Sequence, residues 1–147
     1  MSFSMNVKKL NENATVPAYG SAYAAGADLY ACEETEITIV PNETKLIHTG
    51  IAMEIPEGLV GLIYARSGLA SKRGLAPANK VGVIDSDYRG EIMVALHNHG
   101  TAPQTVAMGE RIAQIVFAPY YAAQFTVVDE LSDTVRGAGG FGSTGTK

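Results

Sequence analysis

The chain has no tryptophan and only one cysteine, Cys32, among 147 residues. A lone thiol closes no internal bridge, so a small secreted scaffold stapled by disulfides is excluded. The residues around it, Tyr30, Ala31 and Glu33, read as the end of a strand, and no histidine lies near in sequence. Cys32 is therefore expected to be a small, buried or half-buried side chain and not a nucleophile. Long hydrophobic runs are missing too: no segment approaches the roughly 18 apolar residues of a membrane span. Residues 1–10 carry Lys8 and Lys9 with no apolar run beside them. The expectation is a soluble, cytoplasmic protein without a membrane partner.

Positive charge is also in short supply, with 11 Lys and Arg against 15 Asp and Glu and a net charge of −4. That balance argues against a general nucleic-acid binder. The charge is unevenly placed. Residues 33–57 hold six acids and one base, whereas residues 66–89 hold five bases (Arg66, Lys72, Arg73, Lys80, Arg89) against Asp85 and Asp87. A basic stretch inside an acidic chain suits a small polyanion.

The chain is 46% hydrophobic with mean hydropathy +0.07, and it carries 16 Gly and 6 Pro. This is the composition of one globular domain built from short elements and tight turns. Compact β-type runs recur at residues 36–40, 44–48, 51–55, 59–65, 80–84, 91–97, 104–107, 111–118 and 124–128, several closed by Pro or Gly turn signals. The one good helical stretch is 67–73, where Ser67 is placed to cap the first turn and Gly74 to end it. The composition changes near Thr134. Five of the last fourteen residues are Gly, only Val135 and Phe141 offer apolar anchors, and a mobile tail is expected.

Three constellations carry chemistry. Residues 136–145 read Arg-Gly-Ala-Gly-Gly-Phe-Gly-Ser-Thr-Gly. Gly137, Gly139 and Gly142 satisfy a dinucleotide fingerprint, but that motif needs a strand before it and a helix after it, and only five residues follow Gly142. A phosphate-loop reading fails as well, because Thr146 stands where lysine is required. What remains is backbone N–H groups freed by glycine, the Ser143 and Thr144 hydroxyls, the Arg136 guanidinium and the Phe141 ring, a set suited to an anion and a base. In the second, residues 82–91, strand apolars run into Asp85, Ser86, Asp87, Tyr88 and Arg89. An extended chain there would put both carboxylates on one side, where one of them can handle a water. The third is Arg66-Ser67-Gly68 at a helix start, where N–H groups and a guanidinium converge on an anion. His97 and His99 form a pair on one strand without a third ligand at zinc spacing, so surface or interface histidines are expected.

Five segments, in order, resemble the motifs of the trimeric dUTPase family: Ala25-Gly26-Ala27-Asp28-Leu29-Tyr30-Ala31, residues 65–70, residues 79–91, Gly109-Glu110-Arg111-Ile112-Ala113-Gln114, and residues 136–145. The resemblance implies an all-β, distorted jelly-roll fold of the β-clip kind with one short helix. It implies a homotrimer whose three sites each draw on all three chains. Residues 1–133 would form the β domain and residues 134–147 a Gly-rich C-terminal lid. The implied activity is hydrolysis of dUTP to dUMP and pyrophosphate, which limits uracil in DNA and supplies dUMP for thymidylate. Carried over by position, Arg66, Ser67, Gly68 and Gln114 meet the phosphates. Asn79, with the 80–84 strand that includes Val83 and Ile84, lines a uracil pocket, and Tyr88 lies under the deoxyribose. Asp85 matches the residue that deprotonates water, and Asp28 an acid that reaches Mg²⁺ through water while the ion sits on the triphosphate. The lid brings Phe141 onto uracil and Arg136, Gly142, Ser143 and Thr144 toward the terminal phosphates.

Ala65 stands where the family often has proline, and Lys80 and Val81 follow Asn79 where other residues are common. Neither change removes a reactive group. One rival is a dCTP deaminase, which by positional match carries a catalytic glutamate where this chain has Ala95. Another is a non-catalytic homologue that binds nucleotide without turnover.

Overall fold

A computed structural model describes residues 3–140. Twelve strands and one helix follow in chain order: β1 (Asn6–Lys9), β2 (Ala18–Tyr19), β3 (Ala27–Tyr30), β4 (Ile37–Ile39), β5 (Thr44–His48), β6 (Ile51–Glu54), β7 (Leu59–Tyr64), α1 (Ser67–Arg73), β8 (Leu75–Pro77), β9 (Gly82–Ile84), β10 (Met93–Asn98), β11 (Gln104–Val106) and β12 (Arg111–Pro119). They form four antiparallel sheets in a jelly-roll-like arrangement around one core: β1-β6, β5-β10-β8, β11-β4 and β2-β3-β12-β7-β9.

Alternation explains how the strands pack. Along β10, Val94, Leu96 and Asn98 are buried while Met93, Ala95 and His97 are less so, the period of two that a half-covered sheet requires. Leu29, Ile39, Ile47, Ile51, Leu75, Ile92, Ile112 and Ile115 are fully buried among the core residues. The buried amide of Asn98 is fully used: Nδ2 donates to the carbonyls of Ile39 and Ala102, and Oδ1 accepts from Gly100 N–H, each at 2.9 Å. It thereby ties β10 to β4 and to the turn before β11. Cys32 is half-buried, as expected, and burial, followed by the charges of Glu91 and Glu33, pushes its thiol pKa up.

Four expectations need correction, and three strands, β1, β2 and β8, were not among those expected. Residues 124–128 form no strand, since nothing in the same chain pairs with them, and Phe125 and Val127 lie 96% and 99% exposed. β9 begins at Gly82 and not at residue 80, because Lys80 sits at φ 67°, a left-handed conformation that no strand continues through. β1, β2 and β8 are short, and their apolar signal is weak. Ser67 does not cap α1: Arg66 occupies the cap position with φ −86° and ψ 130°, and no side-chain cap bond forms. The two carboxylates of the 82–91 segment do not share an extended chain, as described below.

Gly74 does end the helix, at φ 66°, its N–H reaching the carbonyls of Ala70 and Leu69. A Cβ there would stand 2.7 Å from the backbone nitrogen of Gly100. Gly74→Ala is expected to cost at least about 1–2 kcal/mol from the left-handed conformation alone, with the clash added. Urea denaturation checks this, and an unchanged midpoint would contradict it.

Candidate functional site

Asp28, Val83, Ile84 and Gln114 lie on the central five-stranded sheet, and candidate residues beside its strands join them in two groups. The first gathers where β3, β7 and β12 meet. Gln114 on β12 lies opposite Asp28 on β3 and Tyr64 on β7. Asp28 is buried at 8% exposure, and its Oδ1 accepts from Arg66 Nε at 2.8 Å. The register of β12 shifts between Arg111 and Ala113, and Arg111 Nη1 reaches the other oxygen of Asp28 at 3.2 Å. One carboxylate thus holds two guanidinium groups, an arrangement that a buried charge needs. Gln114 Nε2 donates to the carbonyl of Ala65 at 2.9 Å, fixing the chain just before Arg66. Gly26 makes room for that amide, since a Cβ there would stand 2.2 Å from Gln114 Oε1. Ser67 and Gly68 lie exposed in the first turn of α1, which contains no acid.

The second group surrounds β9. Asn79, Gly82, Val83 and Ile84 line a narrow pocket of about 80 Å³ with Ile63, Pro77, Met93, Val94 and Ala95. Asp85 follows β9 directly, and its carbonyl accepts Tyr88 N–H at 3.2 Å, closing a turn over Ser86 and Asp87. That turn is why Asp85 and Asp87 do not project from one extended strand. The Asp85 side chain is exposed, and among the described residues its carboxylate makes no hydrogen bond or ion pair. It faces an open groove of about 580 Å³ shared with Glu57, Asp87, Arg89 and Tyr120. Arg89 serves the turn: Nη1 donates to the carbonyls of Ser86 at 2.7 Å and Tyr88 at 3.1 Å, and Nη2 lies 3.7 Å from Glu54.

The Asp85 turn and the Arg66 cluster sit toward opposite ends of β7, with the β9 pocket between them. Ile84 pairs with Gly61 and Gly82 with Ile63, which brings Asp85 level with the start of the strand near Val60, while Arg66 lies past its end at Tyr64. At about 3.3 Å per residue, the five steps from Gly61 to Arg66 span on the order of 16 Å. One chain therefore brings Asp28, Arg66, Ser67, Gly68 and Gln114 together, and separately Asn79, Val83, Ile84, Asp85 and Tyr88. Arg136 joins neither group: its Nε donates to the carbonyl of Gly139 at 2.7 Å, within its own segment. Phe141, Gly142, Ser143 and Thr144 lie outside the described residues.

The dUTPase family model matches residues 12–145. The chain belongs to the dUTPase family. Among curated relatives of this family, the deoxyuridine 5'-triphosphate nucleotidohydrolase of Desulfitobacterium hafniense strain DCB-2 is 55% identical over 131 residues, covering 88% of this chain and 87% of that one. Its namesake from Nautilia profundicola is 52% identical over 141 residues, covering 96% and 98%. Among solved dUTPase structures, that of Staphylococcus bacteriophage 80alpha with dUPNHPP superposes at a TM-score of 0.90, with 30% identity over 98% of this chain and 99% of that one. A substituted dUTPase from phage phi11 of S. aureus, described as coordinating a structural Mg(II) ion, gives a TM-score of 0.79 at 26% identity, covering 87% of this chain and 98% of that one.

For this dUTPase chain, two residues carry roles that the motifs did not suggest. Arg111 lies inside a quoted motif but had no assigned partner, since an arginine opening a strand is ordinary. Glu91 sits just after the Tyr88 turn, its Oε2 2.9 Å from His48 Nδ1, and that hydrogen bond raises the His48 pKa above its usual value. The His97 and His99 rings lie with centroids 4.4 Å apart and tilted at 59°, and His97 Nδ1 lies 2.8 Å from Thr44 Oγ1. Burial, then Lys80 and His97, lower the pKa of His99. Among the described residues no cluster of three His, Cys, Asp or Glu gathers to hold a metal, and no helix is long and apolar enough to cross a membrane.

Proposed function

We propose that this chain hydrolyses dUTP to dUMP and pyrophosphate in the cytoplasm, as a homotrimer in which Asp85 of one protomer faces Arg66 and Gln114 of another. The separation of the two half-sites along β7 supports this reading most strongly. The groove that Asp85 faces is lined by neither Arg66 nor Gln114 of the same chain, whereas apposed copies would supply both to one site. Exposed apolar side chains on the 120–135 segment, among them Tyr121, Phe125, Val127 and Leu131, favour association too.

The residues divide the work. Arg66, Ser67, Gly68 and Gln114 hold the triphosphate, with Arg66 oriented by Asp28. The pocket at Asn79, Val83 and Ile84 receives uracil and leaves little space for a 5-methyl group. Tyr88 lies under the sugar, where a 2'-hydroxyl would collide. Asp85 takes a proton from the water that attacks the α-phosphorus in line, the bond to the bridging oxygen breaks, and pyrophosphate leaves. No covalent intermediate is needed. Residues 134–147 close as a lid over the 1–133 domain, Phe141 on the base and Arg136, Gly142, Ser143 and Thr144 toward the phosphates.

Both oxygens of Asp28 already hold guanidinium groups, so the chain has no ready protein cage for a divalent ion here. The donor set fits Mg²⁺ brought by the substrate, which Asp28 would hold only through water. Such an ion would supply charge neutralisation to the phosphoryl group.

Ala95 lines the pocket and cannot move a proton, which disfavours the deaminase reading. The test is pyrophosphate release from dUTP, dTTP, UTP and dCTP side by side with Mg²⁺. We expect kcat/KM for dUTP to exceed each of the others by at least about a hundredfold. Ammonia from dCTP would revive the deaminase, and affinity for dUTP without turnover would indicate a pure binder.

A further inference from the structure

The Tyr88 ring is tied down from behind by residues that the chemistry above does not use. Its hydroxyl donates to the carbonyl of Glu91 at 2.9 Å. The ring lies against Gly90, where a Cβ would stand 2.4 Å from Tyr88 Oη and 2.6 Å from Cζ. Glu91 in turn is clamped onto the turn between β5 and β6. Its Oε1 accepts Gly50 N–H at 2.8 Å, and its Oε2 lies 2.9 Å from His48 Nδ1. The backbone beside it is stitched to the same turn, Ile92 N–H donating to the carbonyl of Ile51 at 2.8 Å and Thr49 Oγ1 to that of Ile92. His48 is itself held, its backbone N–H donating to Glu33 Oε1 at 2.7 Å.

We propose that Glu91, clamped by His48 and Gly50, is a positioning residue that immobilises the Tyr88 ring and thereby sets the rejection of ribonucleotides. This rests on the reading of Tyr88 as the residue beneath the deoxyribose. Excluding a single hydroxyl by steric means requires a ring that does not yield, because a shift of about 1 Å admits the extra atom. Packing on Gly90 limits the ring on one face. The bond to Glu91 fixes its far end, and the clamp fixes Glu91.

The experiment compares kcat/KM for dUTP and UTP in Glu91→Ala, Tyr88→Phe and the double variant, with Tyr88→Ala as reference. Glu91→Ala and Tyr88→Phe are each expected to lower the dUTP-over-UTP ratio at least about tenfold. The double variant should lose no more than the larger single loss, because Glu91→Ala frees the carbonyl to which Tyr88 is tied and Tyr88→Phe removes the tie itself, two breaks in one chain of support. Additive losses, or a ratio within about twofold of the parent in a folded Glu91→Ala protein, overturn the proposal even if its melting temperature falls. Should Glu91→Ala fail to fold, Tyr88→Phe decides alone, since it breaks the tie without touching the clamp. If Tyr88→Ala leaves the ratio intact, the sugar reading itself is wrong and the proposal goes with it. If Tyr88→Ala destroys the ratio while the other variants keep it, only the positioning role fails.

Discussion

Asp85→Asn is expected to bind dUTP about as well as the parent and to turn it over at least about a hundredfold more slowly, the usual contribution of a positioned general base. The substitution is clean for a structural reason. Asp85 closes its turn through its backbone carbonyl, which accepts Tyr88 N–H, and an asparagine keeps that carbonyl. Among the described residues the carboxylate has no other bond to lose. A carboxamide has nearly the same volume but cannot take a proton at neutral pH. The affinity for a non-hydrolysed dUTP analogue should therefore hold while single-turnover rates collapse. A nearly unchanged rate would remove Asp85 from the chemistry, and a parallel loss of binding would assign it to the substrate instead.

The second large effect is recovery of activity in mixed assemblies. Chains carrying Asp85→Asn and chains ending at Thr134 should each be nearly inactive, the first lacking the base and the second lacking Arg136 and Phe141. If each site takes its base and its lid from different protomers, random trimers of equal parts restore about a quarter of the sites. That gain is large against two nearly silent parents. The geometry motivating it is the run of β7 between Asp85 and Arg66, which a single chain does not fold back upon itself. Mixed trimers confirmed by mass, yet without activity, would count against shared sites.

Much of the architecture was legible because apolar alternation and turn residues agree. Thr44–His48 lies between Pro-Asn and Thr-Gly signals, and Ser67–Arg73 stops at a glycine, the residue that takes the left-handed end most readily. The misread segments show where local pattern stops informing. Residues 124–128 have the β-branched and aromatic content of a strand but no partner in their own chain, and a strand is defined by its neighbour. Lys80 broke an otherwise plausible run through its backbone conformation, which side-chain pattern does not reveal. The motifs named candidate site residues but not their distribution along a sheet. Register is a property of pairing between distant strands, so the division along β7 appears only in three dimensions. The Asp28 pairing with Arg111 was hidden for the same reason, 83 residues separating the partners.

The central claim is that water attacks the α-phosphorus of dUTP. Hydrolysis of dUTP in ¹⁸O-enriched water, with mass analysis of both products, tests it most directly. The account predicts label in dUMP and none in pyrophosphate, from the parent enzyme and from the residual turnover of Asp85→Asn alike. Label in pyrophosphate would place the attack on the β-phosphorus and contradict it.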